Sequence, residues 1–293
     1  MDTIQAGILA PVPRLARYLG FSLQPGANPE SALNALCNIA DGEGMVVGLS
    51  ESLVRELGAS IDGLHGFSAV SAPGIDIPST QLSLWCWLRG DDRGELVHRT
   101  RELCQALEDA FDCDEVIDAF QFRDSRDLTG YEDGTENPQG DDALAAGFVQ
   151  GQGQGLDGSS FVAVQIWAHD LDRFQAMPQQ EQDHTFGRRI SDNEEIDDAP
   201  ASAHVKRTAQ ESFDPEAFIL RRSMPWADAN DEGLVFVAFG KNLAAYETLL
   251  RHMVGLDDGI SDALFRFTRP ISGGYYWCPP MTRGKLDLSR LGF

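Results

Sequence analysis

Positive charge is scarce in this chain. Its 293 residues hold 23 Lys and Arg against 46 Asp and Glu, a formal charge of −23 with a pI near 4.4. A surface this acidic repels phosphate backbones and anionic lipid, so nucleic-acid and membrane-surface partners are not expected. Cysteine is also sparse and unpatterned. The five residues Cys37, Cys86, Cys104, Cys113 and Cys278 are odd in number and scattered, with no CxxC pair. This argues against a disulfide framework or a structural zinc site, and it fits a reducing compartment. The lack of CxxCH excludes covalent c-type haem attachment at its usual motif. Long apolar runs are missing too, since even Phe161 to Ala168 (FVAVQIWA) is only a strand's worth. The N-terminus places Asp2 where a signal peptide carries positive charge. Together these absences predict a cytoplasmic protein.

What is present is an ordinary core, with 42% hydrophobic residues, on a repeating rhythm. Strands are predicted at Ala16–Leu23, Gly44–Ser50, Gln81–Gly90 and Glu115–Arg123, with helices from Pro29 to Ala40, Glu51 to Leu57 and Arg93 to Phe111. The rhythm restarts with a strand at Ser160–His169 and a short helix after Asp170. Strands follow at Ala217–Ser223, Gly233–Gly240 and Gly273–Pro279, with helices at Asn242–Val254 and near Asp262–Phe267. Two units of strand, helix, strand, strand, helix, strand predict an α+β fold of two ferredoxin-like domains with antiparallel sheets. The boundary is expected between residues 1–150 and 151–293. The polar stretch Gln179–Gln210 reads as a loop of about 30 residues, long enough to suggest a function. Its place in the second half suggests a ligand site there.

Three places offer chemistry. The turn Leu128–Gly140 (LTGYEDGTENPQG) packs three glycines around Asp133, and Gly130 and Gly134 let the backbone approach a ligand where a Cβ would clash. The competing account is an interdomain connection with ordinary turn residues. His204, in AHVKRT, is either a hydrogen-bonded structural residue or a metal ligand, and Lys206 and Arg207 beside it can meet anionic groups. In ILRRSMPW, alternation along the strand sends Arg221 and Arg222 to opposite faces, so one of them enters a pocket.

In this order, GYEDGTENP, EQDHTFGRR, AHVKRT and ILRRSMP resemble the motifs of the dye-decolourising peroxidase (DyP) family, in its bacterial class B or P-type group. The resemblance runs over most of the chain, and the spacing of Asp133, His204 and Arg221 is similar to that group's. It implies the DyP fold, a dimeric α+β barrel-like arrangement, with one non-covalent haem b in the second domain. His204 would be the axial iron ligand, Asp133 the distal carboxylate and Arg221 the distal arginine, with Ser223 orienting a distal water. Arg207 would partner a haem propionate, unless it forms a surface ion pair. Asp262 would take the second ring N–H of His204, or else cap the following helix. Tyr131 stands where Phe is usual in the family. The implied activity is reduction of hydrogen peroxide through a ferryl intermediate, with oxidation of dyes, phenols or other one-electron donors. Asp133 would shuttle a proton and Arg221 would stabilise developing charge. The alternative is a haem or porphyrin handling protein, storing haem or removing its iron. A third reading is an acidic interaction module. The resemblance also suggests a homo-oligomer, a dimer or larger, and some relatives are cargo of encapsulin shells through C-terminal tails, a feature for which this chain's C-terminus gives little support.

Overall fold

The computed structural model describes residues 3–293, so Asp2 lies outside it. The elements run β1 (Leu15–Leu23), α1 (Glu30–Ile39), β2 (Met45–Leu49), α2 (Glu51–Glu56), the hairpin β3–β4 (Val70–Ala72, Ile75–Ile77), β5 (Leu84–Gly90), α3 (Arg93–Leu107) and β6 (Phe111–Phe120). Then follow α4 (Gly140–Gly147), β7 (Ser160–His169), α5 (Leu171–Gln175), α6 (Gln179–Phe186) and α7 (His204–Arg207). The chain continues through β8 (Leu220–Arg221), β9 (Met224–Ala227), β10 (Glu232–Gly240), α8 (Ala244–Met253), β11 (Thr268–Pro270) and β12 (Gly274–Cys278). Caps fix several helix starts. Ser50 accepts from the Leu53 N–H to begin α2, and Asp92 from the Glu95 N–H to begin α3.

In the first half the strands lie in the order β2-β5-β1-β6, and in the second β9-β10-β7-β12. Each is the ferredoxin-like order, the expectation from sequence, and all the pairings are antiparallel. The two sheets also join each other. Trp277 of β12 pairs with Leu49 of β2, and Ala119 of β6 pairs with Trp226 of β9, so the eight strands close into a ring. Alternation then sorts every strand between two cores. Ala16, Tyr18, Val46, Trp85, Trp87, Val162, Val164, Val235, Val237 and Tyr276 fill the ring. Leu19, Phe21, Val47, Cys86, Ala163, Ala238 and Trp277 face outward beneath the helices. Trp85, Trp87 and Trp277 are fully buried, and truncating such a ring typically costs about 3–5 kcal/mol.

Three expectations change. Helix α3 stops at Leu107, and Phe111 opens β6 instead of closing the helix. The stretch Gln179–Gln210 is not a continuous loop, because it contains α6, which ends at Gly187 with φ 82°, and the single-turn α7. The strand expected over Ala217–Ser223 shrinks to Leu220–Arg221 before β9 begins. There the Asn137 side chain substitutes for a strand partner. Its Oδ1 accepts from the Arg221 N–H at 2.7 Å and its Nδ2 donates to the Arg221 carbonyl at 3.1 Å.

Candidate functional site

Between the outer face of the second sheet and helices α7 and α8 lies a cavity of about 370 Å³. Leu234 and Phe236 of β10, Trp167 of β7 and Leu249, Leu250 and Met253 of α8 give it an apolar wall. Asp133, His204 and Arg221 all line it. They arrive from a turn, a helix and a strand.

The turn is braced at both ends. Gly130 and Gly134 have φ of 93° and 75°, which only glycine adopts freely. The Gly130 N–H donates to the Asp127 carbonyl at 2.8 Å, and the Arg126 guanidinium holds the Gly130 carbonyl at 3.0 Å and Glu132 at 2.8 Å. Asn137 then ties the turn's far end to the Arg221 backbone. The result sets Asp133 Oδ1 3.4 Å from Arg221 Nη2, with both side chains about one-fifth exposed. Arg222 takes the opposite face, as alternation requires, and donates to the carbonyls of Ile8 and Leu9.

His204 opens α7. Its Nδ1 lies 2.7 Å from Oδ2 of the buried Asp262, while the other carboxylate oxygen accepts from the Leu264 N–H at 2.8 Å. Asp262 is therefore both the histidine's partner and the cap of the 3-10 turn Ala263–Arg266. With Nδ1 engaged, Nε2 is the ring nitrogen available to a ligand, and the carboxylate fixes the orientation of the ring. Asp262→Asn is expected to weaken metal or metalloporphyrin affinity about 10- to 100-fold, read by equilibrium titration. An unchanged affinity would leave Asp262 a cap only.

Arg207 is not brought to the cavity. Its guanidinium makes a two-point pair with Asp258 at 2.8 and 2.9 Å and donates to the His252 carbonyl at the end of α8. This binding holds the Asp258 carboxyl well below the usual range. The free carbonyls of a helix C-terminus attract a cation, and this one is spent there. The geometry offers Arg207 no propionate role. The cations that do line the cavity are Arg188, Lys206 and Arg221. Ser223 is buried behind Asp133, in a small adjoining hollow, with its Oγ 3.4 Å from the Val237 N–H.

His169 was not among the three places singled out in the sequence. It shares the outward face of β7 with Gln165 and Trp167 and lines the cavity. Its Nε2 lies 3.0 Å from Asp127 Oδ2 and its Nδ1 2.6 Å from the Thr268 hydroxyl, so it anchors the start of the Asp133 turn to the sheet. The signal was there: a polar, aromatic, polar alternation on an otherwise apolar strand. Burial pushes the Asp127 carboxyl up, but His169 and the two bonds from Thr129 outweigh it and hold it below the ordinary range. Because the folded value lies below the unfolded one of about 3.9, this pair's stabilisation is complete above that pH and is lost as pH falls through the folded value. His169→Phe keeps the ring against Phe267 and removes both bonds. A loss of about 3 kcal/mol is expected in thermal or urea unfolding at neutral pH, shrinking in acid. Equal losses at pH 7 and pH 3 would refute the linkage.

Tyr131 also has a specific partner. Its hydroxyl donates to Asp183 of α6 and its ring stacks on Phe186 at 4.0 Å, which fastens the turn to the region expected to be loop. Burial, and then Asp183, push its phenol up.

The family profile described as "Dyp-type peroxidase, C-terminal" matches residues 124–283, more than half of the chain. A dye-decolorizing peroxidase of Mycobacterium tuberculosis is 29% identical over 222 residues, 74% of this chain and 66% of that protein, so the match spans just under two thirds of the relative's length. A solved structure from Shewanella oneidensis, described as a putative dyp-type peroxidase protein, is 28% identical, with a TM-score of 0.89 and coverage of 99% of this chain and 98% of that one. A variant of DypB from Rhodococcus jostii, solved in complex with heme, is 25% identical, with a TM-score of 0.83 and coverage of 92% and 94%.

Proposed function

The chain belongs to the Dyp-type peroxidase family, and we propose that it is a haem peroxidase, reducing hydrogen peroxide while oxidising dyes, phenols or other one-electron donors. One observation carries this reading. A histidine whose Nδ1 is held by a buried carboxylate lines the same cavity as a close Asp–Arg pair. The cavity's lining also suits a largely apolar cofactor with polar edges. Its wall is aliphatic and aromatic, yet Gln165 Nε2 and Tyr246 Oη are buried along it without a protein partner. Orphaned donors of this kind point to a bound group that satisfies them. We take residues 151–293 as the haem-binding domain, and residues 1–150 as the domain that ends in the Asp133 turn.

Haem, when bound, supplies the iron on which peroxide is activated and the store of oxidising equivalents for the donors. The chain's own part is to hold and move protons. His204 Nε2 would hold the iron, with Asp262 keeping the imidazole oriented through Nδ1. Asp133 accepts a proton from one peroxide oxygen and returns it to the other, directly or through a water that Ser223 helps orient. Arg221, always charged, draws in the hydroperoxide anion and stabilises negative charge on the departing oxygen.

The test is to mix haem-loaded protein with one equivalent of peroxide in a stopped-flow spectrometer across pH 4 to 8. Rapid loss of the ferric Soret band, followed by its return on adding a phenol, is expected. Haem binding with an inert Soret band would instead indicate haem storage or iron removal.

A further inference from the structure

Among the cavity's lining residues, those that are solvent-exposed are Glu132, Thr135, Glu136, Glu195 and Glu211. Four of the five are carboxylates. Nearby cations do not cancel them. Arg188 is shared between Glu136 and Glu195, Lys206 reaches Glu195 at 3.4 Å, and Arg126 is divided between Glu132 and Asp124. The segment that supplies Glu195, from Ile190 to Ala203, also carries Asp192, Glu194, Asp197 and Asp198, and no Lys or Arg. The interior beneath is apolar and holds the partnerless Gln165 Nε2 and Tyr246 Oη, so this is the entrance to a ligand-binding space and not a solvated acidic face alone. A mouth of one charge sign over low-dielectric walls focuses the field and raises the local concentration of oppositely charged solutes.

Resting on the peroxidase reading, we propose that this mouth selects electron donors that carry a positive charge, such as phenols bearing an ammonium group, over anionic donors such as sulfonated aromatics. Each phenol gives up one electron and its hydroxyl proton and leaves as a phenoxyl radical. Two such donors supply the two electrons and two protons that convert one hydrogen peroxide into two waters. The ammonium group takes no part in the redox step. It acts only on encounter and residence at Glu136, Glu195 and Glu211.

Three phenols with the same ring separate charge from chemistry: tyramine (cationic), tyrosol (neutral) and 4-hydroxyphenylacetate (anionic). Steady-state kcat/KM is measured for each with the haem-loaded chain. At about 10 mM salt, tyramine is expected to exceed 4-hydroxyphenylacetate by on the order of tenfold or more, with tyrosol between them. The ratio should collapse towards one at about 0.5 M salt, where the Debye length is about 4 Å. Glu136→Gln, Glu195→Gln and Glu211→Gln combined should lower the low-salt ratio several-fold when each rate is normalised to tyrosol. Glu211→Gln alone, which breaks no ion pair among the described residues, gives a smaller change in the same direction if the triple variant folds poorly. Equal kcat/KM for the three phenols at low salt would overturn the charge selection while tyrosol turnover still upheld the peroxidase. A ratio insensitive to all the glutamine variants would remove the mouth as its cause. Absence of tyrosol turnover would sink the underlying reading instead.

Discussion

His204→Ala is expected to leave the chain folded and nearly free of haem, with affinity lowered more than ~100-fold, beyond the 10- to 100-fold typical of losing an outer partner. His204 opens only a one-turn helix, but its side chain is mostly buried (17% exposed) and its loss leaves one Asp262 oxygen unpaired, so the haem-free protein is expected to stay folded with about 1–3 kcal/mol less stability. What disappears is the ring nitrogen that faces the cavity while Asp262 holds the other one, and Asp262 is left buried behind it. The measurement is haem content per chain after reconstitution and gel filtration. Added imidazole should restore part of the Soret absorbance, because a small ligand can occupy the vacated space. Wild-type haem content in His204→Ala would remove this residue as the axial ligand.

The second large effect is expected on the reaction with peroxide. Arg221→Ala should slow peroxide-driven loss of the ferric Soret band by about 10²- to 10³-fold with haem still bound, the usual cost of removing a charge-stabilising donor. Asp133→Asn should fall within the 10²- to 10⁴-fold range of a lost proton shuttle. The scaffold survives the arginine change, since Asn137 grips the backbone of Arg221 and not its side chain. The two groups sit 3.4 Å apart and are proposed to act on the same peroxide, so the double variant should be far less impaired than the product of the single losses. Arg221→Lys keeps the charge and loses the planar fork, and is expected to recover part of the rate. Unchanged stopped-flow rates in Arg221→Ala would reject its role.

Much of the fold was legible because strand alternation is a local signal. Ser160–His169 reads as a strand from its letters and is one, and the two ferredoxin-like units follow from the order of such segments. Ring closure was not legible from local pattern. It rests on pairings such as Trp277 with Leu49, far apart in sequence and short in extent. Helix α6 was hidden for another reason. Of its eight residues only Thr185 is buried, so it carries no apolar stripe, and its attachment runs through Asp183 to Tyr131 and through the Gln182 amide to the Phe174 and Met177 carbonyls.

The site divides in the same way. Asp133 announces itself by the glycines around it, and Arg221 by its place on an apolar strand. Arg207 looked available because its neighbours in sequence are polar, but its partner Asp258 comes from the turn that follows α8, 51 residues further along the chain. The two accounts of Asp262 competed only while it was a letter, since a carboxylate has two oxygens and each takes one task.

The ring's closure bears on how the chain is made. The first half leaves the ribosome before the strands that will seal it exist, so the outer edges of β2 and β6 must wait for β12 and β9. A bare strand edge is a template for pairing with a stranger. β2 is short, at five residues. β6 is ten residues long and meets β9 only at Ala119, near its end, and it carries Asp112, Asp114, Glu115 and Asp118. Like charges on neighbouring nascent copies of that strand repel each other. The acidity that shapes the mouth of the finished protein thus also guards its unfinished half.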